Sequence, residues 1–271
     1  MNAAGIVLCG GKSSRMGRDK AWLPWRGQPM IAHVVSVLRP ILDEIVVVAS
    51  DQLELPPLDV RIVRDREPAL GPLAGIREGL EQIRADFAFV TGTDAPFLSP
   101  AFVRELLSHG CAAAPEIDGH VQTLSAVYPR AALGRIRAML AEGCARPLRV
   151  LEEFGYRRLS AEELPDPQSV RGFNTPDEYL EAVRESEVSA TAILEFQGRA
   201  RLAIGRSELE VPVGTLGDVL APFQPSIGIL DGNAIAKPFS ISLNGRGRTR
   251  SAAIPVGPGE HVCVLDTAVG R

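Results

Sequence analysis

The residues best equipped for chemistry are Leu8-Cys9-Gly10-Gly11-Lys12-Ser13-Ser14-Arg15-Met16-Gly17-Arg18-Asp19-Lys20. An apolar run, Gly5-Ile6-Val7-Leu8-Cys9, stops at a double glycine, and Lys12, Arg15, Arg18 and Lys20 follow. Glycine lets a backbone pass close to a ligand and adopt positive φ. Backbone N–H groups and cations placed after a first β-strand suit phosphate. Two familiar phosphate loops do not fit. The G-x-x-x-x-G-K-S/T loop has four residues between its glycines, whereas five separate Gly5 from Gly11 and belong to the strand. The dinucleotide pattern G-x-G-x-x-G is absent. Read locally, the same stretch is a tight strand-to-helix turn with solvated charges.

Three further segments carry candidate groups. Val63-Arg64-Asp65 precedes Gly71-Pro72-Leu73-Ala74-Gly75, where Gly-Pro opens a helix whose N-terminus can face an anion. Phe89-Val90-Thr91-Gly92-Thr93-Asp94-Ala95-Pro96 sets a carboxylate just beyond a buried strand, where open α/β sheets place ligands. Magnesium takes one or two protein carboxylates and completes its shell with phosphate oxygens and water. In Gly172-Phe173-Asn174-Thr175-Pro176-Asp177-Glu178, Thr175 with Glu178 reads as a capping box with Pro176 at the first helical position. Only Asn174 is left over for function there. Asp65 and Asp94 each have a local reading too, as turn aspartates.

Elements to position these groups are legible around them. Pro29 to Leu38 spaces Ile31, Val34, Val35 and Leu38 helically and ends before Pro40. Ile45-Val46-Val47-Val48-Ala49 and Phe87-Ala88-Phe89-Val90 are continuous runs suited to strands buried on both faces, and Ile62-Val63 is a shorter one. Leu73 to Arg84 reads as a helix. Strand alternating with helix at this pitch predicts a three-layer, Rossmann-like α/β domain with a mostly parallel sheet.

Composition bounds the rest. The 271 residues are 45% hydrophobic and 23% charged, which suits one large soluble domain or two ordinary ones. A net charge of −4 and 5% aromatics argue against a nucleic-acid grip. No apolar run approaches the ~20 residues of a membrane span, and no secretion signal leads the chain, so the expected location is cytoplasmic. Cys9, Cys111, Cys144 and Cys263 are scattered, without zinc or disulfide spacing. The expected division is residues 1–186 and 187–271, with Arg184-Glu185-Ser186-Glu187 as linker. Residues 187–271 carry eight cations and eight anions, so the acidic excess belongs to residues 1–186.

The first loop resembles the nucleotidyltransferase signature G-G-x-S-x-R-M-G, and the Asp19-Lys20-Ala21 that follows is similar to the molybdenum cofactor guanylyltransferases. The Gly-Pro-Leu-Ala-Gly turn, the Asp94-x-Pro96 turn and the closing Asn174-Thr175-Pro176 element extend the resemblance over residues 5–180. It implies transfer of GMP from GTP to molybdopterin, with pyrophosphate as leaving group. Arg15, Lys20 and Asp94 would be catalytic, with Asp94 as ligand of a Mg2+ cofactor. Leu8, Cys9, Gly10, Gly11, Lys20, Asp65, Gly71 and Asp94 would bind GTP, and Asn174 would hold the pterin. Many relatives have a second asparagine two residues earlier, where this chain has Gly172. Asp118-Gly119-His120 lies where relatives approach the pterin. Rival readings are a cytidylyltransferase making the cytosine dinucleotide cofactor, a sugar-phosphate nucleotidyltransferase, and a weakly catalytic module that binds and delivers cofactor through its tail domain.

The last 80 or so residues predict strands at Thr191 to Phe196, Arg201 to Val213, Gly228-Ile229-Leu230, Phe239 to Leu243 and His261 to Leu265, with a helix at Leu216 to Leu220. This order resembles the ubiquitin-like β-grasp fold of small sulfur carriers. Carriers end in Gly-Gly, whereas this chain ends Gly270-Arg271, so the resemblance implies a non-conjugating docking or stabilising domain, with a processed carrier and an unrelated small β-rich domain as alternatives. A molybdoenzyme or another cofactor-biosynthesis protein would be its partner. Arg246, Arg248 and Arg250 alternate after Asn244-Gly245, as a solvated edge strand or a partner patch.

Overall fold

A computed structural model describes residues 2–10, 15–65, 67 and 70–266. The chain divides into two compact units: Met1–Lys12 with Met30–Gly172, and Ser13–Pro29 with Phe173–Arg271. Gly11, Lys12, Ser13, Ser14 and the Gly270-Arg271 end lie outside the described residues.

In the first unit the elements are β1 (Ala3–Cys9), α1 (Met30–Leu38), β2 (Glu44–Ser50), β3 (Arg61–Asp65), α2 (Pro72–Gln82), β4 (Phe87–Gly92), α3 (Pro100–Ser108), β5 (Ala113–Ile117), β6 (His120–Val121), β7 (Ser125–Pro129), α4 (Leu133–Ala141), α5 (Pro147–Phe154) and β8 (Arg157–Leu159). The strand order is β8-β5-β7-β4-β1-β2-β3, with β6 beside β5. Strands β4, β1, β2 and β3 are mutually parallel, while β7 runs antiparallel to both its neighbours. Alternate residues explain the layers. Ala4, Ile6, Val46, Val48, Ala88 and Val90 pack with Leu73, Ile76 and Leu80 of α2 and Ile136 and Met139 of α4. On the opposite face Phe89 meets Phe102 of α3 edge-on, with ring centroids 6.3 Å apart. This is the expected three-layer α/β arrangement.

The second unit holds α6 (Pro176–Ser186), β9 (Thr191–Phe196), α7 (Gly198–Ile204), β10 (Glu208–Pro212), α8 (Leu216–Leu220), β11 (Phe239–Leu243), β12 (Arg246–Thr249) and β13 (His261–Asp266). Its sheet order is β10-β9-β13-β11-β12. The central pair β9 and β13 is parallel, and every other pairing is antiparallel. Leu216, Val219 and Leu220 of α8 bury against Leu194, Ile241 and Val262 of the sheet. Leu243 pairs with Arg246 across a two-residue turn, with Asn244 at φ 52° and Gly245 at φ 71°, the left-handed pair that such a hairpin demands.

Three local expectations differ from what is seen. Residues 201–204 belong to α7, not to a strand. That helix buries only Ala200 and exposes Leu202, so no apolar stripe announces it. The Gly228-Ile229-Leu230 strand is a short Leu230–Asp231 pairing. The linker at 184–187 is largely the last turn of α6. Residues 15–29 and α6 group with the C-terminal sheet in the second unit.

Candidate active site

In the first unit, the sheet itself gathers candidate residues. Leu8, Cys9 and Gly10 leave the carboxyl end of β1, Asp65 ends β3, and Asp94 follows β4 by two residues. The parallel register sets Leu8 opposite both Val48 and Gly92, and Ser50 opposite Asp65. All lie at the carboxyl edge, the usual ligand-binding end of such sheets.

The turn carrying Asp94 is held from several sides. Thr93 donates to the Leu8 carbonyl from its backbone N–H (3.0 Å) and its hydroxyl (3.1 Å). Buried His33 of α1 donates from Nε2 to the Pro96 carbonyl at 3.0 Å. Ser169, also buried, donates to the Phe97 carbonyl and accepts from the Ser99 backbone N–H. Thr93, His33 and Ser169 have no role in the sequence reading. Thr93 adjoins a motif residue, but nothing local marks His33 or Ser169.

Two glycines flank Asp94. A Cβ on Gly92 would stand 2.6 Å from Asp94 Oδ1, and a Cβ on Gly172 would stand 2.7 Å from the Asp94 carbonyl oxygen. The second contact is with backbone, so a side chain at 172 forces the turn to move. Among the described residues no group of three or more His, Cys, Asp and Glu side chains gathers as a metal cage. The Asp94 carboxylate, in a cradle cleared of Cβ atoms at Gly92 and Gly172, fits a hard cation completed by phosphate oxygens and water, as magnesium prefers.

Asp65 and Gly71 have clear local tasks. Asp65 Oδ1 accepts from the Glu67 backbone N–H at 2.9 Å, the turn-capping use of aspartate. Gly71, at φ 75°, caps α2 with Pro72 next to it. Asp118 is left-handed at φ 51°, and its carbonyl accepts from His120 Nδ1 at 2.8 Å, a contact within the loop.

In the second unit, Arg15 is exposed and Met16 is buried. Lys20 Nζ donates to the Phe173 carbonyl at 2.6 Å and to Asn174 Oδ1 at 3.1 Å. The lysine assigned to the leaving group and the asparagine assigned to the pterin are thus direct partners. Asn174 is presented by the expected capping box, in which Thr175 and Glu178 bond each other's backbone. Arg18 is committed elsewhere. Its guanidinium grips both oxygens of Glu260 (2.7 and 2.8 Å), and Glu260 is buried.

Tyr179 of α6 donates its hydroxyl to the Pro24 carbonyl at 2.6 Å. Burial, and then the negative charge of Glu260, push its pKa well above the usual phenol value, so it stays a donor. Arg246 stacks over Trp22, and Arg250 donates to the Ile235 carbonyl. The strand carrying Arg246 and Arg248 is an edge strand, as its basic stripe implied, but two of the three arginines are engaged within the unit.

These features define an α/β fold with candidate ligand groups at a parallel sheet's carboxyl edge. Solved structures share the fold. Molybdopterin-guanine dinucleotide biosynthesis protein A from Archaeoglobus fulgidus superposes with a TM-score of 0.58 at 23% identity, over 68% of this chain and 99% of that one. A 2-C-methyl-D-erythritol 4-phosphate cytidylyltransferase from Thermus thermophilus gives 0.53 at 17%, over 67% and 97%. The sequence profile of the MobA-like NTP transferase domain matches residues 5–158, and the chain belongs to that family of nucleotidyltransferases. A probable molybdenum cofactor guanylyltransferase of Bacillus cereus is 32% identical over 192 residues, which are 67% of this chain and 96% of the relative. One of Mycobacterium avium is 39% identical over 160 residues, 56% of this chain and 81% of the relative.

Proposed function

We propose that the chain transfers GMP from GTP to molybdopterin, giving molybdopterin guanine dinucleotide and pyrophosphate. The observation that carries this is the run of relatives named guanylyltransferase at 31–39% identity, spanning nearly the whole length of most of them. In the reaction a terminal phosphate oxygen of molybdopterin forms a bond to the α-phosphorus of GTP. The bond from that phosphorus to the bridging oxygen breaks, and its electron pair leaves on pyrophosphate. Such displacement needs positioning and charge neutralisation more than a covalent nucleophile.

Each candidate residue has a role in this reading. Leu8, Cys9, Gly10 and Gly11 offer backbone atoms to the nucleotide, and Asp65 and Gly71 frame it. Arg15 and Lys20 neutralise charge as pyrophosphate departs. Asp94 would hold Mg2+, which when bound screens the phosphates. Asn174 serves the pterin side and orients Lys20.

Sheet order supports a β-grasp reading of residues 187–271: in sequence order the five strands lie 2-1-5-3-4, with the first and last parallel. We assign this part a docking or stabilising role toward a molybdoenzyme or another cofactor-biosynthesis protein. We assign the chain to the cytoplasm, a compartment in which thiols stay reduced; Cys9, Cys111, Cys144 and Cys263 form no disulfide, and among the described residues no helix is long and apolar enough to cross a membrane. Pyrophosphate release in the presence of molybdopterin and magnesium tests the function: GTP supports it, and preference for CTP moves the chain to the cytidylyltransferase reading.

A further inference from the structure

We infer that Glu260, in the C-terminal sheet unit, is a positioning residue for nucleotidyl transfer, acting through Arg18 on the loop that presents Lys20; this rests on the function proposed above. The Glu260 carboxylate takes four donors. They are the two guanidinium nitrogens of Arg18, the Gly257 backbone N–H at 2.9 Å and the Asn244 side-chain amide at 2.9 Å. Its acceptor sites are therefore filled, and the carboxylate is buried. A forked guanidinium–carboxylate pair fixes direction as well as distance. Arg18 also donates to the Pro255 carbonyl at 3.1 Å, so three points hold one side chain.

The fixed side chain stands two residues before Lys20. On the far side of Lys20 a second anchor operates, where Tyr179 binds the Pro24 carbonyl. Gly257 permits it: a Cβ there would collide with the Tyr179 hydroxyl and stand 2.5 Å from Pro24 Cγ. Lys20 is therefore bracketed by two attachments that converge on residues 255–260. A cation that stabilises charge developing on a leaving group works only if its direction is set beforehand. The C-terminal segment supplies that setting across some 240 residues of sequence.

The test compares the full-length chain with Glu260→Gln, Arg18→Lys and the double variant. Gln keeps the shape of Glu260 and loses its charge, and Lys keeps the charge of Arg18 and loses the fork. Thermal unfolding confirms that each is folded at the assay temperature. Each single variant is expected to lower kcat about tenfold or more while the KM for GTP changes little, and the double variant to be no worse than the poorer single. Unchanged kcat in folded single variants, or fully additive losses, overturns the inference. Amide hydrogen exchange over residues 15–23 gives a readout independent of turnover. It is expected to rise in folded Glu260→Gln, and unchanged exchange also overturns the inference. If the wild-type chain makes no guanine dinucleotide, the functional reading fails on its own, and exchange still decides the positioning role.

Discussion

Lys20 and Asn174, separated by 154 positions in sequence, share a hydrogen bond of 3.1 Å. Lys20 and the closing Asn-Thr-Pro element are therefore linked within the second unit. Lys20→Ala should abolish GTP-dependent dinucleotide formation while circular dichroism and the unfolding temperature stay near wild type. Asn174→Ala should reduce turnover by about tenfold, because the lysine keeps its main-chain partner but loses a second direction.

Asp94→Asn removes a charge but little volume. Pyrophosphate release at saturating GTP should fall at least about a hundredfold, and higher magnesium should restore only part of it. Near-normal turnover in the purified variant would remove Asp94 from the site.

Gly172→Ala would press a methyl group to within 2.7 Å of the Asp94 carbonyl oxygen. Overpacking of this kind costs about 1–3 kcal/mol. A lowered unfolding temperature together with reduced turnover is expected. Wild-type values for both would show that the closing segment yields freely.

How far the sequence revealed these relations follows from the range of the forces involved. Strands β2 and β4 were legible because buried parallel strands need continuous apolar runs. Helix α8 was legible at Leu216 to Leu220, and the structure adds the Thr215–Asp218 capping box that starts it. The capping box at Thr175 was legible for the same local reason. Helix α7 was not, since it buries one alanine and has no stripe. Arg18 read as one more phosphate cation because its partner Glu260 lies 242 positions away, and no local pattern encodes such a pairing. His33 was hidden similarly: it looks like a helix residue, and its partner is a proline carbonyl 63 positions on.

The cysteines offer a check on packing in both units. Cys111 is exposed and Cys9 is buried. Burial, and then the Glu195 carboxylate, push the Cys263 thiol up to about 11. A raised thiol pKa means less reactive thiolate at neutral pH. Brief alkylation at pH 8, followed by peptide mass mapping, should label Cys111 first and Cys263 slowly, with Cys263 labelling rising as the pH approaches 11. Rapid labelling of Cys263 at pH 8 would contradict the packing of β13.

The central claim is the identity of the nucleotide that is joined to the pterin. The chain is incubated with molybdopterin, magnesium and each of the four nucleoside triphosphates separately, and the pterin product is weighed by mass spectrometry. Molybdopterin guanine dinucleotide, formed with GTP, is the predicted result. A cytosine dinucleotide formed with CTP, or no dinucleotide with any triphosphate, would contradict it.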